Sequence, residues 1–223
     1  MFTTQEFAEG PARRGPHAPR RWLLAAAAAV LIVIVSIVAI ALIRDRTTDS
    51  ATSTEPGTLA TATPPRELEW KLINGVRLPF GADGPAKVEG PRAHGYTHTP
   101  HGALLAAWQI STRVLTDVRY EQILSTQVRA DLGQQQQLRN AVTQTRNLSP
   151  EEFDAAFRQP VAFQFATYTP TFARIYFAVP SSKGGYDFQR RAVLWDGNDW
   201  VYQVDSGLPE LPNSTALKGF TTF

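Results

Sequence analysis

Three of the chain's four histidines, His94, His98 and His101, fall within eight positions of one another. Imidazoles so spaced can meet at a helix start and ligate zinc. Rings in such a site need a carboxylate or carbonyl behind them to fix the tautomer, and Glu89 is the acidic residue nearest to them in sequence. The chain has no cysteine, which removes thiolate ligands, a thiol nucleophile and any disulfide. Packing around a helix start and surface exposure is therefore the favoured reading of the three rings, with no metal and no cofactor expected. No Ser/His/Asp or Cys/His constellation is recognisable. Gly81, Gly84 and Gly90 stand in a Gly/Pro-rich stretch without the GxxxxGK[ST] arrangement that cradles phosphates.

The histidines sit in a segment that carries its own structural instructions. In HGYTHTPHGALLAAWQISTRVLTDV, Thr99 can cap a helix with Pro100 in its first turn. Leu104, Ala107, Trp108, Leu115 and Val118 then recur at helical spacing, with Ala103, Ile110 and Val114 widening the apolar face. A second helix is expected through Ile123, Leu124, Val128 and Leu132 up to Gly133, with Gln134 to Thr145 as its weaker continuation. Ser149-Pro150-Glu151-Glu152 reads as a capping box opening a third, in which Phe153 and Phe157 form an i,i+4 pair. Upstream, Trp70, Leu72, Val76 and Leu78 predict a strand interrupted by Asn74-Gly75, followed by an irregular connection from Pro79 to Pro91.

After Pro160 the apolar period changes from about 3.6 to 2. Val161, Phe163 and Phe165 alternate with smaller or polar residues, as do Ala173, Ile175, Phe177 and Val179. A third strand runs through Ala192 and Leu194. Trp195-Asp196-Gly197-Asn198-Asp199-Trp200 predicts a hairpin into a fourth, Val201 to Asp205, with Asp-Gly and Gly-Asn supplying positive-φ positions. Helices followed by an antiparallel meander define an α+β domain.

What places this domain is the run from Trp22 to Ile43, which holds no charge and one polar residue, Ser36. Its 22 residues would reach about 33 Å as a helix, enough to span a hydrocarbon core of about 30 Å. It is longer than a signal-peptide h-region, so an uncleaved anchor is expected. Arg13, Arg14, Arg20 and Arg21 precede it, whereas Arg44 and Arg46 are interleaved with Asp45 and Asp49. That asymmetry predicts a cytoplasmic N-terminus and an extracytoplasmic C-terminal domain in the cell membrane. Of the 22 Lys and Arg, those four precede the run, and of the 20 Asp and Glu, Glu6 and Glu9 do, leaving 18 of each after Ile43. The domain is thus formally neutral, and direct nucleic-acid binding is not expected. The organisation reads as a disordered basic tail over 1–21, a transmembrane helix over 22–43, a Thr/Ser/Pro-rich stalk over 44–67 and the exported domain over 68–223.

The order of three helices and four antiparallel strands, closed by the hairpin from Arg191 to Trp200, resembles the nuclear transport factor 2-like cone fold. A single span joined to such a domain is similar to the bitopic scaffold subunits of type IV secretion and conjugation systems. The segment Gly95 to Ala107 resembles one found in actinobacterial proteins of integrative and conjugative elements. What the resemblance implies is a protein-interaction scaffold that is not an enzyme, with copies of itself and other envelope or secretion-channel subunits as partners. It also implies where chemistry would lie in the alternative, an exported ligand-binding or enzymatic domain. Ketosteroid isomerase, on the same fold, works from Asp and Tyr side chains inside the cone, and Asp117, Tyr120, Tyr168 and Tyr176 are the residues of those types available. The Phe-rich interior (Phe153, Phe157, Phe163, Phe165, Phe177) is read as core.

Overall fold

The structure is a computed structural model that describes residues 61–204 and 207–223. The expected basic tail, the apolar run 22–43 and the stalk as far as residue 60 lie outside the described residues. Among the described residues no helix is long and apolar enough to cross a membrane.

Two small hairpins come first. Strands β1 (Glu69–Ile73) and β2 (Val76–Phe80) pair antiparallel with Ile73 opposite Val76. Asn74-Gly75 therefore does not interrupt one strand but turns the chain between two, with φ of 51° and 79° at its two residues. Both torsions are positive, as a two-residue type I′ turn requires. The stretch expected to be an irregular connection contains a second hairpin, β3 (Lys87–Glu89) with β4 (Arg92–His94).

Helix α1 (Pro100–Thr116) starts where its cap predicts: the Thr99 hydroxyl accepts the Gly102 N–H at 3.1 Å, with Pro100 in the first turn. Its burial differs from the expected single apolar face. Every residue from Gly102 to Leu115 is buried, because α1 runs through the middle of the domain with β2 and β4, the next two helices and three strands of the later sheet packed around it. Val118 lies beyond the helix end and is 79% exposed, so it belongs to no core stripe.

The expected second helix is divided. Helix α2 (Tyr120–Gln127) ends at β5 (Val128–Arg129), which pairs parallel to the strand Trp200–Gln203. Asp131 then opens α3 (Leu132–Arg146) through a reciprocal capping box with Gln134. The β-branched Val128 joins a sheet edge and Leu132, 84% exposed, caps no core. Helix α4 (Pro150–Ala156) has the expected Ser149/Glu152 capping box, and the Phe153 and Phe157 rings pack tilted at 38° with centroids 4.8 Å apart.

The strands after Pro160 form a curved six-stranded sheet with order β10-β6-β7-β8-β9-β5, built from β6 (Ala162–Thr169), β7 (Phe172–Pro180), β8 (Tyr186–Trp195), β9 (Trp200–Gln203) and β10 (Thr221–Thr222). A register shift between Phe165 and Thr167 bends β6. The molecule is thus an α+β domain with its helices against one sheet face. On that face Phe163, Ile175, Phe177, Val193 and Trp200 join the α1 core. Each such fully buried aromatic or aliphatic side chain contributes about 2–3 kcal/mol of burial.

The other sheet face is closed by a segment for which the sequence gives no periodic pattern. Leu208, Leu211, Leu217 and Phe220 cover Ala162, Tyr176, Ala178 and Phe188. Ser214 and Tyr186 exchange backbone hydrogen bonds at 2.8 and 3.2 Å to anchor it. Strand β10 then follows the β6 edge, and Phe223 turns into the helix-side core beside Trp70, Phe163 and Phe177, at centroid distances of 5.3, 5.0 and 6.4 Å.

Candidate functional site

The segment Gly95 to Gly102 is where three distant parts of the chain meet. The β8–β9 turn reaches it through Asp199, whose Oδ2 accepts the Gly95 N–H at 2.7 Å and whose Oδ1 accepts the Tyr96 N–H at 3.0 Å. Trp200 Nε1–H donates to the Thr97 carbonyl at 3.0 Å. From the other side, Asp83 Oδ1 accepts the hydroxyls of Thr97 at 2.7 Å and Thr99 at 2.9 Å. His98 stacks on Trp195 with centroids 4.0 Å apart and planes at 11°, and its Nε2 bonds to the Pro170 carbonyl. Gly102 closes the set: a Cβ there would sit on the Thr97 carbonyl oxygen, so only glycine lets the chain fold back against the first turn of α1.

Burial sets the electrostatics. It pushes the Asp199 carboxyl above its usual value, against the three backbone N–H groups of Gly95, Tyr96 and Trp200 that pull it down. It likewise pushes the Tyr96 phenol well up, which keeps that group neutral, and pulls Arg113 down. Arg113 is 2% exposed in the middle of the core. Its Nε–H donates to Gln109 Oε1 at 2.7 Å, and Gln109 Nε2 donates in turn to the Pro79 carbonyl at 2.7 Å.

The three histidines of the sequence reading lie near one another in the chain but not around one point. His94 Nε2 is 3.3 Å from Glu89 Oε2 without hydrogen-bond alignment. His98 is committed to Trp195 and Pro170. His101 bonds to the Thr63 carbonyl at 2.9 Å and has Nδ1 3.7 Å from Asp83 Oδ2. Among the described residues no group of three His, Cys, Asp or Glu side chains is placed to hold a metal ion. The Thr63 contact also puts the far end of the expected stalk against the domain, where Pro65 is buried and the Arg66 carbonyl accepts the Ala82 N–H at 3.1 Å.

The four residues implied by the isomerase resemblance are likewise distributed. Asp117 follows the last turn of α1, where it accepts from Asn74 Nδ2 at 3.2 Å and from the Arg119 N–H at 2.8 Å, a turn-fixing role. Tyr120 lies under the Arg146 guanidinium, 5.3 Å from its ring centroid. Tyr176 belongs to the opposite sheet face and donates to the Pro209 carbonyl at 2.8 Å. Tyr168 packs among the helix-side aromatics, 6.5 Å from Trp200, with its phenol pushed up by burial. No hydrogen bond joins any two of them.

The residues that sequence reasoning missed are Asp83, Asp199, Gln109 and Arg113. Asp199 was readable only as a turn residue, since its partners lie about a hundred positions away. Gln109 and Arg113 are spaced i,i+4 on the polar side of the expected helix, and nothing local distinguishes them from a solvated pair.

An α+β domain whose longest helix is pinned at its start by two aspartates, and which keeps a buried glutamine–arginine pair, is the class of protein that fold and junction define. Residues 39–222 match the family described as a domain of unknown function, DUF8175, and the chain belongs to it. No curated protein and no solved structure matches the chain.

Proposed function

We propose that this chain is a single-pass membrane-anchored scaffold subunit, its folded part a nuclear transport factor 2-like cone, acting in a conjugation or type IV secretion-like channel and not as an enzyme. The observation that carries the reading is the junction at Gly95–Gly102, the most chemically suggestive stretch of the sequence. Its Thr, His and backbone polar groups are engaged with the β8–β9 hairpin, Asp83, the Pro170 carbonyl and the Thr63 carbonyl. The space between helix and sheet is filled by Trp108, Phe163, Phe177 and Phe223. Function then falls to outer surfaces, which is what a protein-interaction module uses. The order of helices and the curved antiparallel sheet support the cone assignment.

The apolar run Trp22 to Ile43 and its arginine-rich N-flank support anchoring with the domain outside the cytoplasm. Tethering raises the effective concentration of copies for weak lateral association. The proposed partners are further copies of the chain and other envelope or secretion-channel subunits. Direct contact with nucleic acid is not proposed for a domain with balanced charge. The test is short-range cross-linking of the full chain in native membranes: a ladder of self-adducts is expected, and monomer alone at physiological expression overturns the scaffold reading. A cytoplasm-only reporter fused after Gly57 should be inactive; activity there reverses the orientation.

A further inference from the structure

Strand β1 is paired on one side only. Its sheet holds β1 and β2, and among the described residues no strand pairs with the other edge of β1. In an antiparallel pair closed by a two-residue turn, alternate residues point their backbone groups at the partner. Ile73 opposite Val76, Lys71 opposite Leu78 and Glu69 opposite Phe80 are the residues turned to β2. Trp70 and Leu72 therefore turn their N–H and C=O groups outward, and such an edge is a template for another strand.

The other edges are closed, bent or short. On the far side of β2 the Arg77 carbonyl accepts Trp108 Nε1–H at 3.4 Å and the Pro79 carbonyl accepts Gln109 Nε2–H at 2.7 Å, so α1 closes that edge. Strand β6 carries the register shift between Phe165 and Thr167, which twists an edge away from a partner. Strands β3 and β4 have three residues each, β5 and β10 two. By contrast β1 offers five in unbroken register. Its Leu72, on the same side of the strand as Trp70, is 67% exposed.

The chain carries a strand that fits this edge, namely β1 itself. Run antiparallel about a two-fold axis, a second β1 can set outward-turned residues against each other with the pairing centred on Lys71 or on Trp70. Centred on Lys71, that lysine faces its own copy, and like charges directly opposite are destabilising. Centred on Trp70, Glu69 faces Lys71 of the second copy and Lys71 faces its Glu69, while each exposed Leu72 lies against Leu68. Glu67, with φ of 55°, and the Asn74-Gly75 turn bound the extended stretch on either side.

We infer that β1 pairs with β1 of a second copy, antiparallel and centred on Trp70, joining two hairpins into one four-stranded sheet. This pairing rests on the self-association proposed above and gives it a surface. An isologous contact of this kind joins copies in pairs.

The chain has no cysteine of its own, so disulfide trapping in native membranes reads the register directly. Full-length Glu69→Cys and Lys71→Cys chains, co-expressed and exposed to a mild oxidant, should form a mixed disulfide, because a non-hydrogen-bonded antiparallel pair sets Cα atoms about 4.5 Å apart. Neither variant alone should bridge to itself appreciably. In otherwise wild-type chains, Glu69→Lys or Lys71→Glu should lower energy transfer between fluorescently tagged copies several-fold, and the double exchange in one chain should restore it. Both side chains are exposed, so the exchanges leave the core untouched. Absence of the mixed bridge, a Lys71→Cys bridge to itself in its place, or wild-type energy transfer in both single reversals overturns the inference and leaves self-association to another surface. Energy transfer absent from the wild-type chain overturns the pairing and the self-association together.

Discussion

The carboxylate of Asp199 lies 2.7 Å from the backbone nitrogen of Gly95, a hydrogen bond between residues 104 positions apart. Through it the β8–β9 turn holds the chain that leads into α1. Asp199→Ala should leave the Gly95 and Tyr96 N–H groups without their acceptor and destabilise the domain by about 1–2 kcal/mol, read as the urea midpoint of the full chain. The pH dependence has a definite sign. Because the folded carboxyl is raised above 3.8, the folded state binds the proton more tightly than the unfolded chain. The stability contributed by this group is therefore complete at low pH and is lost as pH rises through the folded value. The stability difference between wild type and Asp199→Asn should accordingly shrink from pH 4 upward and then level off. A difference that grows with pH would show that the three N–H groups, and not burial, dominate.

Gly102→Ala should destabilise the domain by about 3 kcal/mol, since the added methyl meets the Thr97 backbone carbonyl and no side-chain rotation relieves it. Circular dichroism at increasing temperature is sufficient to read the loss. An unchanged melting curve would mean that the helix start does not approach Thr97 as described.

Gly197 separates backbone conformation from crowding. Its φ is 104°, yet beyond its two chain neighbours nothing lies within 4 Å of where a Cβ would stand. Gly197→Val should therefore cost about 1 kcal/mol or more through backbone strain alone. Wild-type stability in this variant would contradict the turn geometry.

Much of this architecture is legible along the chain because it is written locally. Thr99-Pro100 and Ser149-Pro150-Glu151-Glu152 mark helix starts by caps that satisfy their own N–H groups. The alternation after Pro160 marks the strands, because residues two apart share a face. What is not legible is of two kinds: local turn and cap signals that the apolar spacing overrides, and contacts whose partners are brought from far away. Asn74-Gly75 is the strongest local turn signal in its region, and two strands of five residues around it are a better reading than one broken strand. Asp131 and Gln134 form a cap that splits the expected second helix, whereas the apolar spacing of Val128 and Leu132 suggests continuity. The C-terminal cover, with Leu208, Leu211, Leu217 and Phe220, follows an irregular path and so has no period to detect. The buried state of Gln109 and Arg113 arises only because β2 and β4 fold over a side of α1 that its own sequence leaves polar.

His98 should behave as a packing residue. Removing its ring in His98→Ala loses the stack on Trp195, for an expected cost of about 1 kcal/mol. Equimolar zinc, or a strong chelator, should leave the wild-type melting midpoint where it was. A midpoint raised by zinc and restored by the chelator would establish a metal site that the separated partners of His94, His98 and His101 do not foreshadow.

The proposed role depends on the domain being held at a membrane. Replacing Trp22 to Ile43 with a cleavable export signal releases the domain while leaving its sequence from residue 61 intact, and complementation of a deletion strain then reads the consequence. The scaffold account predicts a folded, exported domain that fails to restore function. Full complementation by the released domain would contradict it and point to a diffusible ligand-binding or enzymatic protein.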